Sequence, residues 1–186
     1  AQFLNIVIFP KNDDTETLYR LIATFVNKAS NVHLISLYNK PDIYFTQLSQ
    51  SIIMSNKNKR TNITAIEFND VDEMEENDLE RIKNLTLSAN IDSLSFINSL
   101  PQSILPKFTN NFLQSQVASK IAYLCLDRTE GIDIQSLINK LGYISILSLK
   151  KCNLEISAVF SALSKSNNQH LRYLNLSHKI LFYLRI

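Results

Sequence analysis

Apolar residues recur along this chain in a fixed six-residue frame: apolar, two variable positions, apolar, one variable position, apolar. The frame is clearest in Ile144-Ser145-Ile146-Leu147-Ser148-Leu149 and Leu171-Arg172-Tyr173-Leu174-Asn175-Leu176. Weaker copies begin at Phe3, Val32, Ile63, Ile91 and Ile121. The alternation at the end of each frame predicts a short strand with its apolar positions inward and its variable positions outward. Between frames the period changes. Leu18, Leu21, Ile22, Phe25 and Val26 fall on one face of an amphipathic helix, and Asp13 with Glu16 reads as its N-terminal cap. Phe45, Leu48 and Ile52 repeat the helical spacing after Pro41-Asp42, and Leu79, Ile82 and Leu85 repeat it again. Leu105, Phe108 and Phe112 follow, with Pro106 suited to a first helical turn. Ile134, Leu137, Ile138 and Leu141 make a fifth helix, and Ile156, Val159, Phe160 and Leu163 a sixth.

The seven frames start at 3, 32, 63, 91, 121, 144 and 171, a period of about 28 residues. Strands at this spacing, each followed by a helix-sized crossover, predict a parallel sheet. A generic α/β fold would require the even spacing to be accidental. In frame and period the chain resembles the leucine-rich-repeat family over essentially its full length. At this repeat length it is most similar to the cytosolic, helix-containing, ribonuclease-inhibitor-like subclass. The resemblance implies an α/β solenoid in a horseshoe arc, strands on the concave face and helices on the convex face. It further implies a single domain over residues 1–186 with about seven repeats. Cys152 stands three residues after Leu149, where that family places an inward Asn or Cys that bonds the turn backbone. The matching residues Val71, Ser99, Thr129 and Lys179 depart from the pattern, so the family's asparagine ladder is expected to be broken.

Composition narrows the class of action. Of 186 residues, 45% are hydrophobic, which excludes a disordered tail. Lys and Arg number 19 against 17 Asp and Glu, and the resulting +2 favours neither nucleic acid nor a membrane surface. With only 2 glycines, glycine-rich phosphate loops and a tight-hairpin sandwich are disfavoured. Asn is abundant, and its amide can satisfy backbone groups in loops. Cys125 and Cys152 are too few for a disulfide framework. No run reaches the roughly 18–20 apolar residues of a membrane span, and the first residues lack signal-like features. A cytoplasmic protein without membrane insertion is expected. The array begins and stops abruptly, with the apolar run Ile180 to Leu184 at its end. Solenoids need polar caps, so the chain reads as a piece of a longer array. Self-association through uncapped ends and a final packed-back helix are the other expectations for those ends.

No catalytic, cofactor or metal constellation emerges. His33, His170 and His178 lack partners at metal-ligand spacing. Cys125 on an outward strand position would lie on the order of 14 Å from His33, three strands away, too far for an activated nucleophile. Between Glu67 and Glu80 lie Asp70, Asp72, Glu73, Glu75, Glu76 and Asp78, after the basic Lys57, Lys59 and Arg60. These carboxylates read either as a solvated loop at a helix N-terminus or as a docking patch for a basic partner surface. An EF-hand calcium site is excluded by their spacing and the missing Gly.

The outward strand residues include Phe9, Tyr38, Ile97, Tyr123, Ile146 and Tyr173, large side chains suited to a protein interface. Basic residues are nearly absent among them, which argues against nucleic acid. The expected function is a non-enzymatic scaffold for a protein partner, through the concave face, the acidic loop or both. The resemblance leaves open a regulator of a small GTPase or of actin-capping machinery. The sequons at Asn62, Asn84 and Asn175 leave open a secreted recognition module.

Overall fold

The computed structural model describes residues 4–8, 15–28, 32–38, 45–59, 61–177 and 180–183. Eight strands form one sheet in chain order: β1 (Leu4–Ile8), β2 (Val32–Leu37), β3 (Ala65–Asn69), β4 (Ser93–Ile97), β5 (Tyr123–Cys125), β6 (Ile146–Ser148), β7 (Tyr173–Ser177) and β8 (Ile180–Tyr183). Each strand from β1 to β6 pairs in parallel with the next. Parallel neighbours need a crossover, and every crossover here holds helical structure. The helices are α1 (Thr15–Lys28), α2 (Phe45–Lys57), α3 (Glu76–Ala89), α4 (Leu105–Lys107), α5 (Ser115–Ala118), α6 (Ile134–Lys140) and α7 (Ile156–Lys165). The architecture is α/β.

The apolar frame explains where the core lies. Ile63, Ile66 and Phe68 are buried, as are Ile91, Leu94 and Phe96, Ile121, Leu124 and Leu126, and Ile144, Leu147 and Leu149. These inward strand residues pack with the helices in one continuous cluster. Within it an aromatic series runs across successive strands and helices. Tyr19 meets Phe45 edge-on at 6.1 Å, Phe45 meets Phe68 at 6.1 Å, and Phe68 stacks on Phe96 at 5.5 Å. Phe96 then receives the edges of Phe108 at 5.4 Å and Phe112 at 6.1 Å. Such ring pairs add to the burial of large apolar area.

The fourth connection is not one regular helix. After α4, Phe108–Phe112 forms a π-helical turn, closed by the Leu113 N–H donating to the Phe108 carbonyl at 2.9 Å. Its two rings stack on each other at 5.1 Å, and both meet Phe96 edge-on. Two helices also turn differently from their expected faces. In α1 the buried stripe includes Tyr19, Ile22 and Val26, while Leu21 and Phe25 are exposed. Tyr19 takes the core position because its ring reaches Phe45. In α7, Val159 and Ala162 are buried and Ile156 and Phe160 are largely outside. The expectation of a final helix is overturned: Ile180–Tyr183 is a strand, antiparallel to β7. A run of Ile, Leu, Phe and Tyr suits a strand, and β7 offers it an unpaired edge. Phe3, Phe9, Asp13, Pro41, Asp42, Arg60, His178, Lys179 and Leu184 lie outside the described residues.

The same turn follows successive strands. Asp70, Asn98, Arg128 and Lys151 all adopt the left-handed region, with φ of 48°, 50°, 59° and 56°. In a chain with 2 glycines, other residues carry this conformation at a steric cost. The turns are tied by Asp70 N–H to the Ile97 carbonyl, Asn98 N–H to the Asp127 carbonyl and Arg128 N–H to the Lys150 carbonyl, at 2.9, 2.9 and 2.7 Å. The next position in each turn, Val71, Ser99, Thr129 or Cys152, is buried. Ser99 fills it well: its hydroxyl bonds the Phe68 carbonyl at 3.0 Å and receives the Val71 N–H at 3.1 Å. Cys152 donates to the Leu126 carbonyl at 3.0 Å. Val71 has no side-chain donor, and the buried Thr129 hydroxyl has no partner among the described residues. Asn serves the loops before the strands instead. Asn56 donates to the carbonyls of Ile63 and Ala89 at 2.7 and 3.0 Å, and Asn168 accepts from His170 N–H and Leu171 N–H at 2.8 and 3.0 Å.

Phe96 touches three other rings of the aromatic series and is fully buried. Phe96→Ala is expected to destabilise the fold by about 3–5 kcal/mol. A urea titration followed by circular dichroism measures this, and an unchanged midpoint would contradict the role given to the ring.

Candidate functional site

Strand register aligns the outward residues in rows across the sheet. One row runs Leu34, Ala65, Ser93, Tyr123, Ile146, Tyr173, and the next runs Ser36, Glu67, Ser95, Cys125, Ser148, Asn175. A third follows along the strand ends, where Asn69 pairs with Ile97, and Tyr38, Asp127 and Lys150 hold the corresponding places in their repeats. None of these residues belongs to the apolar core that the helices pack against. The outward face is thus the open face of the sheet.

The middle row is made of small side chains. Ser36, Ser95, Cys125 and Ser148 are each at most 5% exposed, although they point away from the helices. Taller neighbours in the flanking rows cover them, so the row forms the floor of a shallow trough. Cys125, outward on its strand, is buried there. Burial pushes its thiol above the ordinary cysteine range. Burial also raises the inward Cys152 thiol, to about 11. Neither resembles an activated nucleophile, which needs a depressed pKa. Among the described residues, no group of three or more His, Cys, Asp or Glu is placed to hold a metal ion. No helix among them is long and apolar enough to cross a membrane. His170 stacks on Tyr143 at 5.4 Å.

Two carboxylates stand out in the trough. Glu67 rises from the middle row, half-buried, and its Oε1 accepts from the Ser36 hydroxyl at 2.8 Å and the Asn69 amide at 2.6 Å. Asp127 closes the third row, where its Oδ1 accepts from the Ser148 hydroxyl at 2.7 Å and the Lys150 N–H at 2.9 Å. The Lys150 ammonium stands 3.8 Å from the other Asp127 oxygen. Between them lies Tyr123, whose phenol is held protonated well above its usual range. Burial is the main cause, and Cys125, Asp127 and Glu67 add to it. Of the six large outward residues expected at an interface, Tyr123, Tyr38, Ile97 and Ile146 are partly covered and Tyr173 is exposed. Tyr123, Ile146 and Tyr173 lie side by side in one row, whereas Tyr38 and Ile97 lie across the trough. Phe9 is outside the described residues.

The acidic cluster divides. Asp70, Asp72, Glu73 and Glu75 are exposed around the β3–α3 turn, with Asp70 accepting from the Asn98 amide at 2.9 Å. Glu76 bridges to Lys107 of the next repeat and to Asn111 at 3.3 Å. The Lys107 hydrogen bond holds its carboxyl below the usual range. Asp78 is a correction: it is 1% exposed and faces no partner. Its Oδ2 accepts from the Glu75 N–H at 2.8 Å, and its Oδ1 binds Arg81 at 2.8 Å. The residue at N3 of α3 satisfies a free N–H at the helix start instead of forming surface. Glu67 opens the acidic run in the sequence, but its hydrogen bonds place it on the open sheet face with Ser36 and Asn69, apart from the turn carboxylates.

No protein-family model matches this chain, and no curated protein matches it in sequence.

Two outcomes follow from burial. Neither cysteine is expected to react with a small thiol reagent at neutral pH in the native state, and both are expected to react once urea unfolds the chain. Rapid native labelling of Cys125 would contradict its place on the trough floor. Asp78→Ala is expected to lower stability by about 1–2 kcal/mol through loss of the helix cap, read as a shift in thermal midpoint, and Asp72→Ala to leave it nearly unchanged.

Proposed function

We propose that the chain is a leucine-rich-repeat solenoid of the helix-containing type and acts as a non-enzymatic scaffold that binds a protein partner on the open face of its sheet. The arrangement of the turns supports the repeat reading. Four successive turns share a left-handed residue followed by an inward ladder position. Strand order equals chain order, as stacking of like units requires.

The observation that carries the binding reading is the alignment of Tyr123, Ile146 and Tyr173 in one outward row beside a polar trough. Large amphipathic rings at the edge of buried polar groups suit a protein surface, because each ring offers wide area at low entropic cost and a polar tip. The exposed carboxylates Asp70, Asp72, Glu73 and Glu75 continue the same face at the C-terminal end of β3 and add long-range attraction for a basic partner.

Affinity purification from the native source with mass spectrometry tests this reading. The variant carrying Tyr38→Ala, Tyr123→Ala and Tyr173→Ala is expected to lose the partners that the unaltered chain retains. Retention of every partner by a folded triple variant would place binding elsewhere and sink the proposal.

A further inference from the structure

We propose that two copies of this chain join through the β1 end of the sheet, β1 to β1 and α1 to α1, about a two-fold axis. The contact uses a sheet edge and one helix flank, so it is independent of what binds the open face.

Three observations carry it. The first is the edge strand. β1 stands at one end of the sheet, with β2 on one side and no strand on the other among the described residues. Its sequence, Leu-Asn-Ile-Val-Ile, holds no charged side chain and no proline. Edges that stay free in solution are commonly guarded by such residues. The second is the flank of α1. Arg20, Ala23, Thr24 and Asn27 line a groove against α2, where the Asn27 amide donates to the Ser51 hydroxyl at 3.5 Å. At 3.6 residues per turn, Leu21 and Phe25 fall on the opposite flank, away from α2. They are 63% and 45% exposed. An apolar helix flank thus adjoins an unguarded strand edge.

The third is the difference between the two ends. A single strand, β1, precedes the first helix, whereas two strands, β7 and β8, follow the last. Ile156 and Phe160 of α7 also stand partly outside the core, but the sheet runs on past them through β8. Their flank is set back from the edge. Among the described residues, an open strand edge with an apolar helix flank close behind it occurs only at β1 and α1. Its match is the same face of a second copy.

Two-fold symmetry lets that face cover itself. An axis perpendicular to the sheet, through the middle of β1, pairs the strands antiparallel and keeps both α1 helices on one side. β8 already pairs with β7 in that sense. Leu21 lies at the middle of α1, Thr15–Lys28, so it meets its own symmetry mate, with Phe25 beside it. Lys28 stands about 10 Å from the middle, which keeps the two ammonium groups about 20 Å apart, beyond the screening length at physiological salt. The face measures about 20 Å along the helix and about 20 Å through helix and strand, so roughly 800 Å² is buried in all, the size of a weak and concentration-dependent dimer.

Sedimentation equilibrium of the full chain tests the proposal. Dimer is expected to dominate at about 300 μM and monomer at about 3 μM, with no larger assembly, because a two-fold contact closes on itself. Leu21→Asp with Phe25→Asp changes two exposed positions. The double variant is expected to keep the thermal midpoint of the dilute unaltered chain and to associate at least about tenfold more weakly, since the contact would bury unpaired carboxylates. Leu21→Cys is expected to form a disulfide-linked dimer on mild oxidation, its mate being within reach; Cys125 and Cys152 are buried and give no link. Ile156→Cys is expected to stay unlinked, alone or mixed with Leu21→Cys. The inference is overturned if the chain is monomeric at the higher concentration, or if the folded double Asp variant associates as the unaltered chain does. Links that form only when the two Cys variants are mixed would overturn it in favour of end-to-end addition.

Discussion

Each strand and its helix share an apolar face that only the neighbouring unit can cover, and the rest of the structure depends on that requirement. A single strand-plus-helix unit would leave residues such as Ile66, Phe68 and Leu79 in water; stacked between neighbours, they are buried. At roughly 1.5–3 kcal/mol for each large apolar side chain removed from water, the gain from stacking exceeds what any turn or cap contributes. The aromatic series is this coupling in its most concentrated form, since Tyr19, Phe45, Phe68 and Phe96 come from four successive strand-and-helix segments. The parallel order of strands and the aligned outward rows accompany this packing of each strand and helix on the next.

That requirement also explains which parts of the fold were legible in the sequence. The inward positions were readable because they obey a strict spacing and tolerate only apolar residues. Where apolar residues were in excess, periodicity could not choose. In α1 the set Leu18, Leu21, Ile22, Phe25 and Val26 is wider than the stripe the core accepts. The structure seats Ile22 and Val26 with Tyr19, a residue the apolar pattern had passed over. The fourth connection shows the same limit. Phe108 and Phe112 are buried as their spacing implies, but one wider turn carries them. The final run failed for another reason: a strand forms there because β7 has an edge to pair with, a fact of neighbours and not of the segment.

The candidate site was legible only in part, because it is assembled from residues about one repeat apart. Tyr123 and Tyr173 could be selected by residue type. That Tyr123, Ile146 and Tyr173 adjoin in one row follows from the strand register and not from residue type. The acidic cluster makes the converse point. Asp72 and Asp78 are alike as letters, yet one lies on the surface and the other is buried as a helix cap. Position relative to a helix start, more than charge density, separates them.

Strand order that equals chain order carries a consequence for biosynthesis. Every pairing partner of a strand is the segment made just before it or just after it, so no strand must wait for a distant stretch of chain. Contacts of this kind keep loop-closure costs small and uniform. A chain of this topology can gain structure while still on the ribosome, each new unit closing over the apolar side of the one before.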